Sequence, residues 1–199
     1  QIMNSYEWKN KDLIFISSIS VYDERYKILK ENCNLQTKGI YCLSKIFGEE
    51  LISKSNIKSH VLRIPGILGL NKNYSFLSSV VNKLYNNEKI SLINGKCKFN
   101  SFIDPYDISS FIIDQPKIKN FDIINLSAPF THRLVDIVYM FKESLRSSSR
   151  IKNIETTKKS QKVDTSKAKK YYEEDTFKRR NFPLGLEDER VIEDIETLA

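Results

Sequence analysis

Leu13 to Ser18 begins as an unbroken apolar run and ends in two serines, the pattern of a strand buried on both faces of a parallel sheet. Asp23 to Thr37 is polar and irregular. From Lys38 to Ser53, Ile40, Leu43, Phe47 and Leu51 recur at intervals of three or four, which predicts a helix with one apolar face. Ile46 and Ile52 widen that face, so the helix is expected to be covered on more than one side. Ser59 to Ile64 is a second short apolar strand, closed by Pro65 and Gly66, neither of which continues a ladder well. Strand, helix and strand within about 50 residues make a βαβ unit of a parallel sheet.

The pattern changes after Gly69. Tyr74 to Asn87 predicts a helix with Phe76, Leu77, Val80, Val81 and Leu84 inward, followed by extended pieces at Ile90 to Ile93 and Cys97 to Ile103. Asp107 is placed to cap a helix over Ile108 to Asp114, because an aspartate oxygen accepts the free amides of a first turn. Asp122 to Leu126 predicts a strand and Leu134 to Leu145 an amphipathic helix. Ser147 to Tyr172 is polar and basic with one strand-like piece at Ile151 to Thr156, and Leu186 to Leu198 predicts a last helix edged by Val191, Ile192, Ile195 and Leu198. The implied class is doubly wound α/β.

Composition narrows the setting. A hydrophobic content of 40% in 199 residues supports a folded core, and the apolar runs are too short and too interrupted to span a membrane. The first residue is Gln1, and the lead-in to Asn10 lacks the charged-then-apolar pattern of a signal peptide. Cys33, Cys42 and Cys97 are odd in number and lack CxxC spacing, which argues against a disulfide framework and against a metal site. A reducing, cytoplasmic setting is expected. The net charge of +7 is regional: Lys142 to Arg180 carries 13 basic and 6 acidic residues, and the rest of the chain balances. Such a segment reads as a solvated face or as a site for a phosphate-bearing small molecule. Nucleic acid is a minor alternative, because no stacking-platform motif accompanies Tyr171, Tyr172 and Phe177.

Candidate chemistry lies in Tyr-x-x-x-Lys, which puts a phenol and an ammonium one turn apart on a helix face, where the cation favours the phenolate. The pattern occurs at Tyr26/Lys30, Tyr41/Lys45 and Tyr85/Lys89. Context singles out the second, since Tyr41 lies on the amphipathic helix that follows the serine-ended strand. Ser18, at the carboxyl end of that strand, points into the crevice where open α/β sheets bind ligands. His60 and His132 have no partners at metal or triad spacing.

With these residues in view, Phe15-Ile16-Ser17-Ser18-Ile19-Ser20-Val21-Tyr22, Tyr41 to Lys45 with Glu49, and Leu62-Arg63-Ile64-Pro65-Gly66-Ile67-Leu68-Gly69 resemble the extended short-chain dehydrogenase/reductase family, in particular NAD-dependent sugar epimerases and dehydratases. Phe102 to Ile108, Ile124 to Leu126 and Val163 to Lys169 continue the likeness in order. The resemblance implies a partial Rossmann-like sheet with a small mixed α/β substrate lobe. Residues 1–66 and 99–127 would form the C-terminal part of the dinucleotide domain, and 67–98 and 128–199 the lobe. It implies NAD or NADP as cofactor and a nucleotide sugar or related alcohol as substrate. Ser18 would bond the substrate oxygen, Tyr41 would exchange the proton, and Lys45 would hold the nicotinamide ribose. Pro65 and Ile67 would line the nicotinamide pocket, and Ser18, Ser20, Gly66 and Asn100 would face the sugar nucleotide. A homodimer paired through helices, one of them bearing Tyr41, is also implied.

The sequence departs from the family pattern in three places. The six glycines show no G-x-x-G-x-x-G spacing near the start, so a phosphate-cradling loop is missing and the chain is expected to begin about 100 residues into the parent domain. Asn100-Ser101 stands where the family has Arg-Asp, which removes a phosphate-pairing group. Asp104 stands at the usual histidine position. The missing glycine loop and Asn100 support an alternative to the enzyme reading, a truncated or non-catalytic relative that acts as a binding module.

Overall fold

The computed structural model describes residues 11–68, 75–114, 118–128, 132–157 and 160–173. The helix expected over Leu186 to Leu198 and the lead-in before Lys11 lie outside the described residues. The described residues pack as two units, the first drawn from residues 11–65, 110–126 and 163–173, the second from 66–109 and 127–162.

The first unit is built on a parallel sheet in the order β1 (Leu13–Ser18), β3 (Ser59–Ile64), β8 (Asp122–Asn125). Helix α1 (Gly39–Ser53) connects β1 to β3, the expected βαβ unit. β3 is buried at every position, whereas Leu13 to Ile16 of β1 are only half-buried. The expectation of a doubly buried β1 is corrected: among the described strands it has one neighbour, and it is the central strand that is covered. The register sets Ser17 beside Arg63 and Arg63 beside Asn125, a polar row near the carboxyl ends of the strands.

The orientation of α1 also differs from the sequence reading. Ile40, Leu43, Phe47 and Leu51 are exposed, and Cys42, Glu49 and Ile52 are buried. Gly48 lies so close to β1 that an added Cβ would stand 2.5 Å from Phe15 Cζ. A second, smaller core gathers Tyr22 with Leu29 of β2 (Ile28–Leu29) and Val163 of β11 (Lys162–Val163). Helix α5 (Ser166–Glu173), which the polar pattern did not predict, is held by polar bonds from Lys167 to Asp122 and to the Ile123 carbonyl at 2.7 Å, and from Tyr171 to Asp122 at 2.6 Å.

The second unit packs α2 (Phe76–Tyr85) with α4 (Leu134–Ser144) over Leu77, Val80, Val81, Leu84, Leu92, Ile137, Val138 and Phe141. β5 (Ile90–Ile93) pairs in parallel with β10 (Ile151–Ile154), and β4 (Gly66–Ile67) with β7 (Phe102–Ile103). β6 (Lys98–Phe99) runs antiparallel to β9 (His132–Arg133), so the extended Cys97 to Ile103 segment is two short strands broken at Asn100-Ser101. Ser75 caps α2 by accepting from Ser78 N at 3.1 Å. Helix α3 (Pro105–Asp114) starts three residues earlier than expected: the carboxylate of Asp104 accepts from Tyr106 N at 2.7 Å, while Asp107 lies within the first turn. Phe76, expected inward, is half exposed and meets the Phe99 ring edge-on at 6.0 Å.

Candidate active site

β1 ends in Ser18, whose extended backbone opens a short 3-10 turn over Ile19–Val21. The Ser18 hydroxyl accepts from Ser20 N at 3.2 Å and from the Ser20 hydroxyl at 2.9 Å, capping that turn. The Cys42 thiol, in the first turn of α1, donates to the Ser20 carbonyl at 3.2 Å. The helix start that carries Tyr41 is thereby joined to the turn that begins at Ser18.

Tyr41 and Lys45 lie one turn apart on α1, with the Lys45 Nζ 5.6 Å from the Tyr41 ring centre. The Tyr41 side chain is 59% exposed, so its phenol is open to a ligand. Lys45 Nζ donates to the Ile16 carbonyl at 2.9 Å and lies 5.3 Å from the Phe15 ring centre, so the cation reaches back along β1. A phenol able to give and take a proton and a fixed cation beside it are the groups needed for proton exchange at a carbon-bound oxygen.

Beneath this surface lies a buried polar network. Arg63 grips Glu49 through Nε to Oε1 at 3.0 Å and Nη2 to Oε2 at 2.6 Å, and its Nη1 donates to the Glu31 carbonyl at 3.1 Å. The Ser17 hydroxyl donates to Glu49 Oε1 at 2.5 Å. The guanidinium stacks 4.8 Å from the Tyr22 ring centre, and the Tyr22 hydroxyl donates to Asn125 Oδ1 at 2.5 Å. Burial works against the Arg63 cation, but hydrogen bonding to Glu49 and the nearby Tyr22 phenol raise its pKa above the usual arginine value. Burial pushes the Tyr22 phenol up to about 12, against the opposing pull of Arg63. Sequence reasoning gave Arg63 and Asn125 no role. The available signal was a charged residue inside an otherwise apolar strand, which must be paired if it is buried.

The remaining candidates divide between the units. Pro65 is buried at the end of the first unit. In the second, Ile67 is 42% exposed, and Gly66 is required by packing, since a Cβ there would stand 2.8 Å from Ser75 Cβ. Asn100 is buried, its amide donating to the Ala128 carbonyl at 3.1 Å and its own carbonyl accepting from the Ser127 hydroxyl. A cavity of about 210 Å³ in this unit is lined by Phe76, Ile93, Asn94, Cys97, Phe99, Leu134 and Ser160. Among the described residues no group of three or more His, Cys, Asp or Glu side chains converges, and no helix is long and apolar enough to cross a membrane.

No family model matches the sequence, and no curated protein matches it. Solved structures do match. UDP-glucuronic acid 4-epimerase from Bacillus cereus, crystallised with NAD, superposes over 94% of this chain with a TM-score of 0.72 at 19% identity. UDP-N-acetylglucosamine 4-epimerase from Methanobrevibacter ruminantium M1, in complex with UDP-N-acetylmuramic acid, covers 94% of the chain with a TM-score of 0.68 at 19% identity. RMD from Pseudomonas aeruginosa, complexed with NADPH, also covers 94%, with a TM-score of 0.68 at 14% identity. This chain spans 62% of the length of the first two and 66% of the third. The chain thus shares the fold of these solved structures, a mixed α/β architecture around a parallel sheet.

Proposed function

We propose that the protein belongs to an NAD(P)-dependent epimerase, dehydratase or reductase acting on a nucleotide sugar or related alcohol, with Ser18, Tyr41 and Lys45 as its catalytic groups. The observation that supports this reading is the bond from Cys42, in the first turn of α1 beside the exposed Tyr41, to Ser20 in the turn that Ser18 opens, within a fold shared with solved epimerase structures.

The groups for the nicotinamide-ribose end fit: an accessible phenol with an ammonium on the same helix face. A bound nicotinamide would supply the hydride acceptor and donor. Ser18 would release Ser20 and hold the substrate oxygen. Tyr41 would take the hydroxyl proton as the carbon gives up hydride, and return it in the reverse step. Lys45 would exchange the Ile16 carbonyl for the ribose hydroxyls and keep positive charge beside the phenol. The exposed stripe Ile40, Leu43, Phe47, Leu51 on α1 suits a second copy of the chain.

The test is titration with NADH and NADPH, followed by incubation with UDP-glucuronic acid or UDP-N-acetylglucosamine and NMR detection of a C4 epimer. Saturable nicotinamide binding with turnover supports the reading. Tyr41→Phe is expected to lower turnover by about 10² to 10⁴ while cofactor binding persists. Undiminished turnover removes Tyr41 from the mechanism, and absence of nicotinamide binding favours the second reading, a non-catalytic relative. That reading has its own support in Asn100, whose side chain is turned inward to a backbone carbonyl where the family carries a phosphate-pairing arginine.

A further inference from the structure

We propose that the buried Ser17–Glu49–Arg63 network is a positioning device that sets the register of α1 against β1, and thereby the placement of Tyr41 and Lys45 relative to Ser18. This rests on the reading of Ser18, Tyr41 and Lys45 as the reacting groups.

The residues concerned are spaced along one helix face. Tyr41, Lys45 and Glu49 follow at intervals of four, and each of the first three turns of α1 has its own tie to the strand or the turn that follows it. Cys42 bonds the Ser20 carbonyl, Lys45 the Ile16 carbonyl and Glu49 the Ser17 hydroxyl. Gly48 lets the helix sit directly on Phe15. Most of these contacts tolerate sliding. A lysine stem is flexible, a thiol bond is weak, and the apolar contact is non-directional.

The Glu49 bonds do not tolerate it. Its carboxylate is held by two parallel bonds from Arg63 at 2.6 and 3.0 Å, and Arg63 is stacked on Tyr22 and bonded to the Glu31 carbonyl. Shifting a helix by one residue moves every side chain along the axis by about 1.5 Å, enough to break both bonds and strand a buried charge. Arg63 is flanked in register by Ser17 and Asn125 on the neighbouring strands, so the fork is fixed to the sheet itself. Ser17 is the residue next to Ser18, and Glu49 lies one turn beyond Lys45. The anchor is thus one residue from one reacting group and one turn from another, and a misplacement of about 1 Å at such groups is enough to lower rates by about a hundredfold.

The experiment uses the three thiols as reporters in the intact chain. Cys42 is buried beside Tyr41, Cys33 packs against the Tyr22 core on which Arg63 stacks, and Cys97 is half-buried in the second unit. Alkylation by iodoacetamide is timed at each cysteine by peptide mass spectrometry in the wild type, Glu49→Gln and Ser17→Ala. Glu49→Gln keeps the shape and removes the charge. It is expected to speed Cys42 alkylation about tenfold or more, with Cys97 unchanged, and Ser17→Ala to speed it by a smaller factor. Where turnover is measured, the same variants lower kcat and leave KM unchanged. An unchanged Cys42 rate, or equal acceleration at Cys42 and Cys97, overturns the proposal. If Glu49→Gln does not fold, Ser17→Ala, which deletes one hydroxyl, decides by the same criteria. If Cys42 responds but Tyr41→Phe leaves turnover intact, the positioning stands and the catalytic reading fails.

Discussion

Tyr22 shows how one side chain records its surroundings. Its phenol is buried under Arg63 and bonded to Asn125, and its pKa is raised to about 12. A phenol with a raised folded-state pKa contributes stability that is fully present below the unfolded value near 10 and is lost as pH rises toward 12. The size is about 2 to 3 kcal/mol. Urea unfolding followed from pH 8 to 11.5 should show this alkaline loss in the wild type, and Tyr22→Phe should show a shallower one. Gly66 is a second case. With Ser75 Cβ 2.8 Å from where a methyl would stand, Gly66→Ala is expected to cost about 1 to 3 kcal/mol in the same assay. A cost near zero would mean that the start of α2 moves aside freely.

At the scale of elements, α5 is attached by polar bonds. Lys167 and Tyr171 both hold Asp122, and the Tyr171 ring meets His60 edge-on at 5.2 Å. Burial alone would raise the Asp122 carboxyl, but hydrogen bonds from Lys167 and Tyr171 outweigh it and keep the pKa below the usual carboxylate value. With a depressed folded-state pKa, this contribution is present above the unfolded value near 3.9 and is lost as pH falls through the folded one. Asp122→Asn should therefore loosen α5 at neutral pH by about 1 kcal/mol, allowing for partial exposure. Amide exchange over residues 166–171 reads this directly. Unaltered protection would show that Ala168 and the ring contacts suffice.

At the scale of the whole molecule, α1 leaves an apolar stripe exposed among the described residues of the first unit: Ile40 is 86% exposed and Phe47 62%. If a second copy covers it, Phe47→Glu should convert a dimer to a monomer in sedimentation equilibrium, with circular dichroism unchanged. A wild type that stays monomeric at micromolar concentration would count against self-association.

Much of the architecture was legible in the sequence because it depends on local periodicity. The βαβ unit, the helices over Phe76 to Tyr85 and Leu134 to Ser144, and the strand at Asp122 follow from apolar spacing. The Tyr41/Lys45 pair was legible for the same reason, since four residues make one helical turn. What spacing could not decide was which side of α1 faces the sheet. An apolar stripe states only that something covers it, and here the side turned inward carries Cys42, Gly48, Glu49 and Ile52, with Glu49 paired to the buried Arg63, while Ile40 and Phe47 lie outside. Helix α5 escaped for the converse reason, being held by polar bonds to Asp122, distant in sequence, which leave no periodic trace. The sequence alone determined the elements that carry an apolar period and the residue types at the candidate site. The tertiary structure decided their register and facing, because directional bonds between residues far apart in the chain fix what non-directional burial leaves open.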